Sequence, residues 1–276
     1  MAIELATKYL PYVDELFAKE SKKELLTNQD FTFDGAETVK VYKISTSKMN
    51  DYAKYRSGGS WYGDVEPLSA TTETMKLSKD RSFTFAIDAR DRDETGNVLE
   101  GASALARQLR EVVIPEVDTW VYSKMTAGAG HKPVAVELTH HDIYEEIIKA
   151  SSALDDALVP EQGRVLTVTP ATYLLMKKCP DIVLASETGS DMRVRGVISN
   201  LDGAVVVKLA PSRLPENFGF MLAHPCATVA PTKLESYFVH ENPPGINGQL
   251  VEGRIVYDAF VLENKAKAIY YQAITA

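Results

Sequence analysis

Five histidines (His131, His140, His141, His224 and His240) and two cysteines (Cys179 and Cys226) are the side chains of this 276-residue chain best suited to metal or nucleophilic chemistry. A zinc site needs several such ligands converging, and short spacings such as H-E-x-x-H or C-x-x-C are its usual trace. Neither spacing occurs. A thiol becomes a nucleophile when a neighbouring base generates its thiolate. Cys226 with His224 or His240 is the one pairing that offers this, and it defines an alternative reading as an intracellular Cys/His hydrolase. Each of the three reads more simply as a residue packed in or beside a strand. No G-x-S-x-G elbow is present, and a triad assembled from distant loops leaves no local spacing to find.

Two segments imitate ligand loops. GAGHKP at 128–133 has the glycines and lysine of a phosphate loop, but Pro133 stands where a metal-binding hydroxyl is required. Its glycines read as the end of a helix. DARDRDETGNVLEGA at 88–102 places Asp91, Asp93 and Gly96 as a calcium loop does, yet Ala102 occupies the position of the bidentate glutamate. Those acids read as favourable charge ahead of a helix N-terminus. No catalytic residue, metal or cofactor is expected.

The elements that would position these residues follow from periodicity. Residues 1–27 read as an amphipathic helical arm, with Tyr9, Leu10, Val13, Leu16 and Phe17 on one stripe. So short a helix is marginal alone in water, so the stripe must dock on this chain or on a neighbour. AETVKVYKIS and MKLSKDRSFTFAID both alternate as strands do. The glycine-, serine- and tyrosine-rich stretch between them is far longer than a hairpin turn, and loops of that length usually serve a purpose. Two strands feeding such a tip form a projecting arm that does not stabilise itself. Trp61 and Tyr62 at the tip are costly apolar surface unless another molecule covers them.

Residues 97–126 read as one long helix, a strut whose apolar stripe (Val98, Ala102, Leu105, Leu109, Val112) continues through Val113, Val117, Trp120 and Val121 after a phase change at Pro115. Proline lacks the donor and crowds the preceding turn, so a bend is expected there. From 139 the texture is α/β: a helix capped by Thr139 with Ile143, Ile147, Ala150 and Leu154 inward, the strand RVLTV, a helix opening at Pro170, and the strands GAVVVKLA and FGFMLAHP. GRIVYDAFVL and AKAIYYQAI, flanking ENK, read as two antiparallel strands.

Composition sets the limits. Hydrophobic residues are 45% and charged residues 25%, the balance of a globular chain with a core. Thirty basic against 38 acidic residues leave a net charge of −8, which argues against nucleic-acid binding as the main task. No apolar run is long enough to span a membrane, and the N-terminus lacks the layout of a secretory signal. Two separated cysteines fit a reduced compartment.

As a whole, the chain resembles the major capsid (coat) proteins of tailed bacteriophages, whose shell fold is shared with encapsulins. The resemblance rests on MAIELATKYLPYVDELFAKESKKELLTNQDF, KDRSFTFAIDARDRDET, ASALARQLREVVIPEVD, RVLTVTPATYLLMKK and HPCATVAPTKLESY with NPPGINGQLVEGRIVYDAFVLENKAKAIYY. It implies an α+β fold with an N-terminal arm at 1–35 and an extended β-hairpin loop at 36–88. A peripheral domain with a spine helix would occupy 89–136 and 231–276, and an α/β axial domain 137–230. It further implies self-assembly through pentamers and hexamers into an icosahedral shell around a double-stranded DNA phage or prophage genome, made in the bacterial host cytoplasm.

The partners implied are further copies of the chain, a scaffolding protein, a portal, encapsidated DNA bound without sequence specificity, and a decoration protein. Because the chain begins near its arm, the scaffold is expected to be separate or absent. Some relatives join subunits by a Lys–Asn isopeptide bond. Lys40, Lys48 and Lys54 lie in the right region, but no matching Asn and acid are marked, so that chemistry is not carried over. Tyr9, Leu10, Val13, Phe17, Trp61 and Tyr62 are the expected inter-subunit contacts, and Pro115 the expected hinge. The same fold also suits a nanocompartment filled with enzyme cargo.

Overall fold

The computed structural model describes residues 21–28, 38–52, 60–62, 65, 67–94, 100–184 and 200–275. The chain divides into two compact units, Phe33–Leu77 and the remainder, Met1–Thr32 with Ser78–Ala276.

In the smaller unit, β1 (Thr38–Ile44) pairs antiparallel with β2 (Ala70–Lys76) over their full lengths. Lys43 and Glu73 form a 3.1 Å ion pair across the ladder. Beyond it Ser45 and Ser69 close the neck, the Ser45 amide donating to the Ser69 carbonyl at 2.9 Å and the Ser69 amide to Ser45 Oγ at 3.0 Å.

The larger unit opens with β3 (Lys79–Asp88) and α1 (Ala89–Glu94). The apparent single strand MKLSKDRSFTFAID is therefore two, broken at Leu77–Ser78, because β2 and β3 belong to different sheets. The acids read as a charged lead-in form α1 itself, with Asp88 Oδ1 accepting from the Arg90 amide at 2.8 Å. A continuous helical rod follows: α2 (Gly101–Gln108), a π-turn at Leu109–Val113, and α3 (Ile114–Gly128). At ~1.5 Å per residue it is about 40 Å long.

The rod corrects two expectations. First, the phase change is made by the π-turn rather than by Pro115 alone: the Ile114 amide donates to the Leu109 carbonyl five residues back. The wider turn makes room for the proline ring, which in a regular helix is driven into a carbonyl one turn earlier. Second, the stripe proposed for the first half does not seat in a core. Ala102 and Val112 are exposed, Leu105 and Leu109 half-buried, and Gly101 alone is buried between 101 and 113. In the second half Val117, Val121, Tyr122 and Met125 are all deeply buried.

The remaining elements are α4 (Ile143–Asp156), β4 (Val165–Val168), α5 (Pro170–Lys178), α6 (Pro180–Leu184), β5 (Asn200–Leu201), β6 (Ala204–Lys208), β7 (Phe218–Ala223), β8 (Thr228–Val229), β9 (Thr232–Glu241), β10 (Gly248–Tyr257), β11 (Phe260–Val261) and β12 (Ile269–Ala273). A five-stranded sheet runs β12-β7-β4-β6-β5, a three-stranded sheet β3-β10-β9, and β8 pairs with β11. Thr139 caps the turn that leads into α4, its carbonyl accepting from the Ile143 amide at 3.1 Å and its Oγ1 from the His141 amide at 3.3 Å. Thr169 likewise caps α5, accepting from the Thr172 amide at 3.1 Å.

The two C-terminal strands do not pair with each other. A 3-10 helix at Glu263–Ala268 carries the chain away, and β12 joins β7 in the five-stranded sheet while β10 lies between β3 and β9. Alternation puts the two faces of the five-stranded sheet into two cores. Val165, Val207, Met221, Ala223 and Ile269 pack with Val117, Val121, Tyr122 and Met125 of α3. Leu166, Val168, Phe220, Leu222 and Tyr270 pack with Ile143, Ile147 and Leu154 of α4 and Tyr173 and Met176 of α5.

Candidate functional site

No group of three or more His, Cys, Asp or Glu suited to a metal ion occurs among the described residues. The Cys226–His224 pairing does not have the geometry of a nucleophile and its base. His224 Nδ1 accepts from the Cys226 backbone amide at 3.2 Å, and Nε2 lies 3.1 Å from the Gln162 carbonyl, so both ring nitrogens face backbone. Burial pushes the Cys226 thiol up and the His224 imidazole down, the first opposing thiolate formation. His240, on β9, lies 3.4 Å from Glu252 of β10. GAGHKP ends α3 as expected: Gly130 donates to the Ala266 carbonyl at 2.8 Å, and a Cβ there would lie 2.7 Å from that residue's backbone.

Two kinds of feature stand out among the described residues. In the smaller unit Tyr52, Trp61 and Tyr62 cluster edge to face, with ring centroids 6.2 Å apart for Tyr52–Trp61 and 5.1 Å for Tyr52–Tyr62. Trp61 is 47% and Tyr62 79% exposed, and Tyr42, Ile44, Met49 and Leu68 of the same unit are exposed as well. Tyr9, Leu10, Val13 and Phe17 lie outside the described residues.

The second kind consists of buried carboxylates, which periodicity did not reveal. Asp118, in the middle of the buried face of α3, is fully buried and pairs with Arg213 at 2.8 Å, itself 6% exposed. Its other oxygen accepts from Ser21 Oγ at 2.6 Å. Nearby Leu26 is sunk in the core, and the Asn28 amide donates to the Thr228 carbonyl at 2.7 Å, so residues 21–28 are sewn into the larger unit. Asp258, just past β10 and 3% exposed, accepts from four donors. Oδ1 takes the indole N–H of Trp120 and the Ala259 amide, both at 2.8 Å. Oδ2 takes the amide and hydroxyl of Ser78 at 2.9 and 2.7 Å. Lys79 Nζ lies 3.9 Å above the Trp120 ring. Aspartates in segments read as helix stripe and strand end gave no local signal; only the fold brings their partners.

Solved structures similar to this chain include phage capsids. A structure from Mycobacterium phage Che8 is 18% identical, with a TM-score of 0.78 over 98% of this chain and 96% of that one. The capsid of cyanophage P-SCSP1u is 13% identical, with a TM-score of 0.80 over 99% and 93%. The mature capsid of bacteriophage PhiM1 is 11% identical, with a TM-score of 0.76 over 98% and 92%. No curated protein sequence matches the chain. The fold is thus the α+β fold of phage capsid subunits. The phage capsid protein family model matches residues 70–272, and the chain belongs to that family. Its role is that of a major capsid protein, a structural component of a phage shell.

Proposed function

We propose that this chain self-assembles through pentamers and hexamers into an icosahedral shell around a double-stranded DNA phage genome. In this reading residues 1–35 are the arm, 36–88 the extended loop, 89–136 and 231–276 the peripheral domain, and 137–230 the axial domain. The observation that carries it is the exposed cluster of Tyr52, Trp61 and Tyr62 in a capsid-family chain. Apolar rings in that number are covered by a neighbouring copy, each ~100 Å2 removed from water contributing about 2.5 kcal/mol. Contacts between unlike patches close into rings and then a container, and many modest contacts act together. The arm stripe of Tyr9, Leu10, Val13 and Phe17 serves the same purpose.

The remaining assignments follow from the same reading. A net charge of −8 suits an inner wall that holds DNA without trapping it, since a basic wall gains affinity by releasing counterions. A scaffolding protein, a portal and a decoration protein are the further partners in this reading, and assembly takes place in the host cytoplasm. Pro115, with the π-turn before it, is the place where the long helix bends between a precursor and an expanded shell. In this reading the chain is not an enzyme. No helix among the described residues is long and apolar enough to cross a membrane.

Electron microscopy of the purified protein, with light scattering, tests the proposal. Closed particles of uniform size, or rings of five and six, support it, and packaged DNA against copurifying enzyme cargo separates genome shell from nanocompartment. A chain that stays monomeric or dimeric alone and with its scaffold overturns it.

A further inference from the structure

Asp258 accepts from four donors, and none of them is a cation. They come from three places in the larger unit: Ser78 at the head of β3, Trp120 on α3, and the neighbouring Ala259 amide. Ser78 is the first residue of that unit after the chain leaves Phe33–Leu77. The Asp258 amide is itself held, donating to the Pro231 carbonyl at 3.2 Å where the β10–β9 register shifts. The carboxylate is therefore fixed from behind, while its two oxygens face two different elements, one each. Lys79 reinforces the bridge by lying over the Trp120 indole, with Lys124 4.8 Å from the same ring.

We propose that Asp258 is a mechanical coupling that ties Ser78, the link between β2 and β3 within the extended-loop segment, to α3, at Trp120, so that the two move together. This inference rests on the shell reading, in which the loop reaches a neighbouring copy and the long helix bends. A bend at the π-turn displaces α3, and with it the indole that shares the carboxylate with Ser78. Ser78 then follows the helix, because a buried carboxylate that loses a donor bears a desolvation cost. Close to this corner lie Lys79 and Lys124 beside the Trp120 ring, and Glu116, which takes Arg81 of β3 at 2.8 Å and the Tyr257 hydroxyl of β10 at 3.2 Å. Asp258 keeps its charge at neutral pH, so the coupling is worked by moving its donors rather than by protonation.

The test uses unassembled full-length protein and two conservative variants. Trp120→Phe removes the indole donor and leaves both Ser78 donors intact; Ser78→Ala removes the hydroxyl and leaves the indole intact. Hydrogen exchange at the Ser78 amide in Trp120→Phe is expected to quicken about tenfold, the effect of one lost bond to a charged acceptor. Reciprocally, the Trp120 indole proton should exchange faster by a similar factor in Ser78→Ala, since coupling between two sites acts equally in both directions. Unchanged exchange at the unmutated partner in both variants overturns the coupling, even where the variants lose stability overall. Because exchange is read before assembly, a wild-type chain that forms no particles counts against the shell reading alone.

Discussion

Asp258 and Asp118 are both buried aspartates that accept from a serine hydroxyl, but they differ in what neutralises them. Asp118 has a cation, Arg213, and removing one member of such a pair leaves an uncompensated buried charge. Arg213→Met is expected to cost about 3–5 kcal/mol in denaturant unfolding, and Ser21→Ala about 1–2 kcal/mol. Equal effects from the two variants would show that the pair is not held as described. Asp258 has only dipoles. Burial alone raises its pKa, but the donors from Ser78, Trp120 and Ala259 outweigh that and hold it below the usual carboxylate value. Its contribution to stability is therefore complete above the unfolded pKa of ~3.9 and is lost as pH falls through the lower folded value. Asp258→Asn should lower stability at pH 7 and flatten the acid limb of unfolding below about pH 4. An acid limb identical to wild type would remove Asp258 from that role.

At the scale of elements, the long helix carries most of the consequence. Its π-turn runs directly into Pro115, and the hinge proposed for the shell falls there. Pro115→Ala is expected to permit regular α-helical bonding through 109–115, stabilising the unassembled chain while impeding conversion of precursor particles to expanded ones. Particle diameters by electron microscopy before and after expansion check this, and normal expansion of Pro115→Ala would refute the hinge. The other end of the helix depends on Gly130, whose backbone lies against Ala266 so closely that a methyl meets carbonyl carbon, oxygen and nitrogen at 2.7 Å. Gly130→Ala is expected to lower the unfolding temperature by several degrees, as overpacking of about 1–3 kcal/mol does.

For the whole molecule the decisive separation is between folding and assembly. Tyr62 and Trp61 are exposed in the single chain, so the double variant Trp61→Ala, Tyr62→Ala should unfold with a midpoint within error of wild type. Its yield of closed particles should nevertheless fall at least tenfold, because the lost burial recurs at every subunit contact. Equal particle yield from this variant would place the neighbour-covered surface elsewhere. A drop in stability of the unassembled chain would instead mean that the rings serve the fold of one subunit.

The amino-acid sequence by itself determined those features that depend on local periodicity. Ile143, Ile147, Ala150 and Leu154 are inward as their spacing requires, Pro170 opens α5, and the glycines at 128–130 end α3. The capsid family was likewise legible, because whole segments carry it. Tertiary structure alone decided the pairings: β2 parts from β3 at Ser78, β12 leaves β10 for β7, and the first half of the rod stays largely out of the core. It alone also brought Ser21 to Asp118, and Ser78 and Trp120 to Asp258, partners up to 180 residues apart. The reason is physical. A repeat of 2 or 3.6 residues states which side of an element faces inward, but which element lies opposite is settled by competition among all the faces that must be buried together.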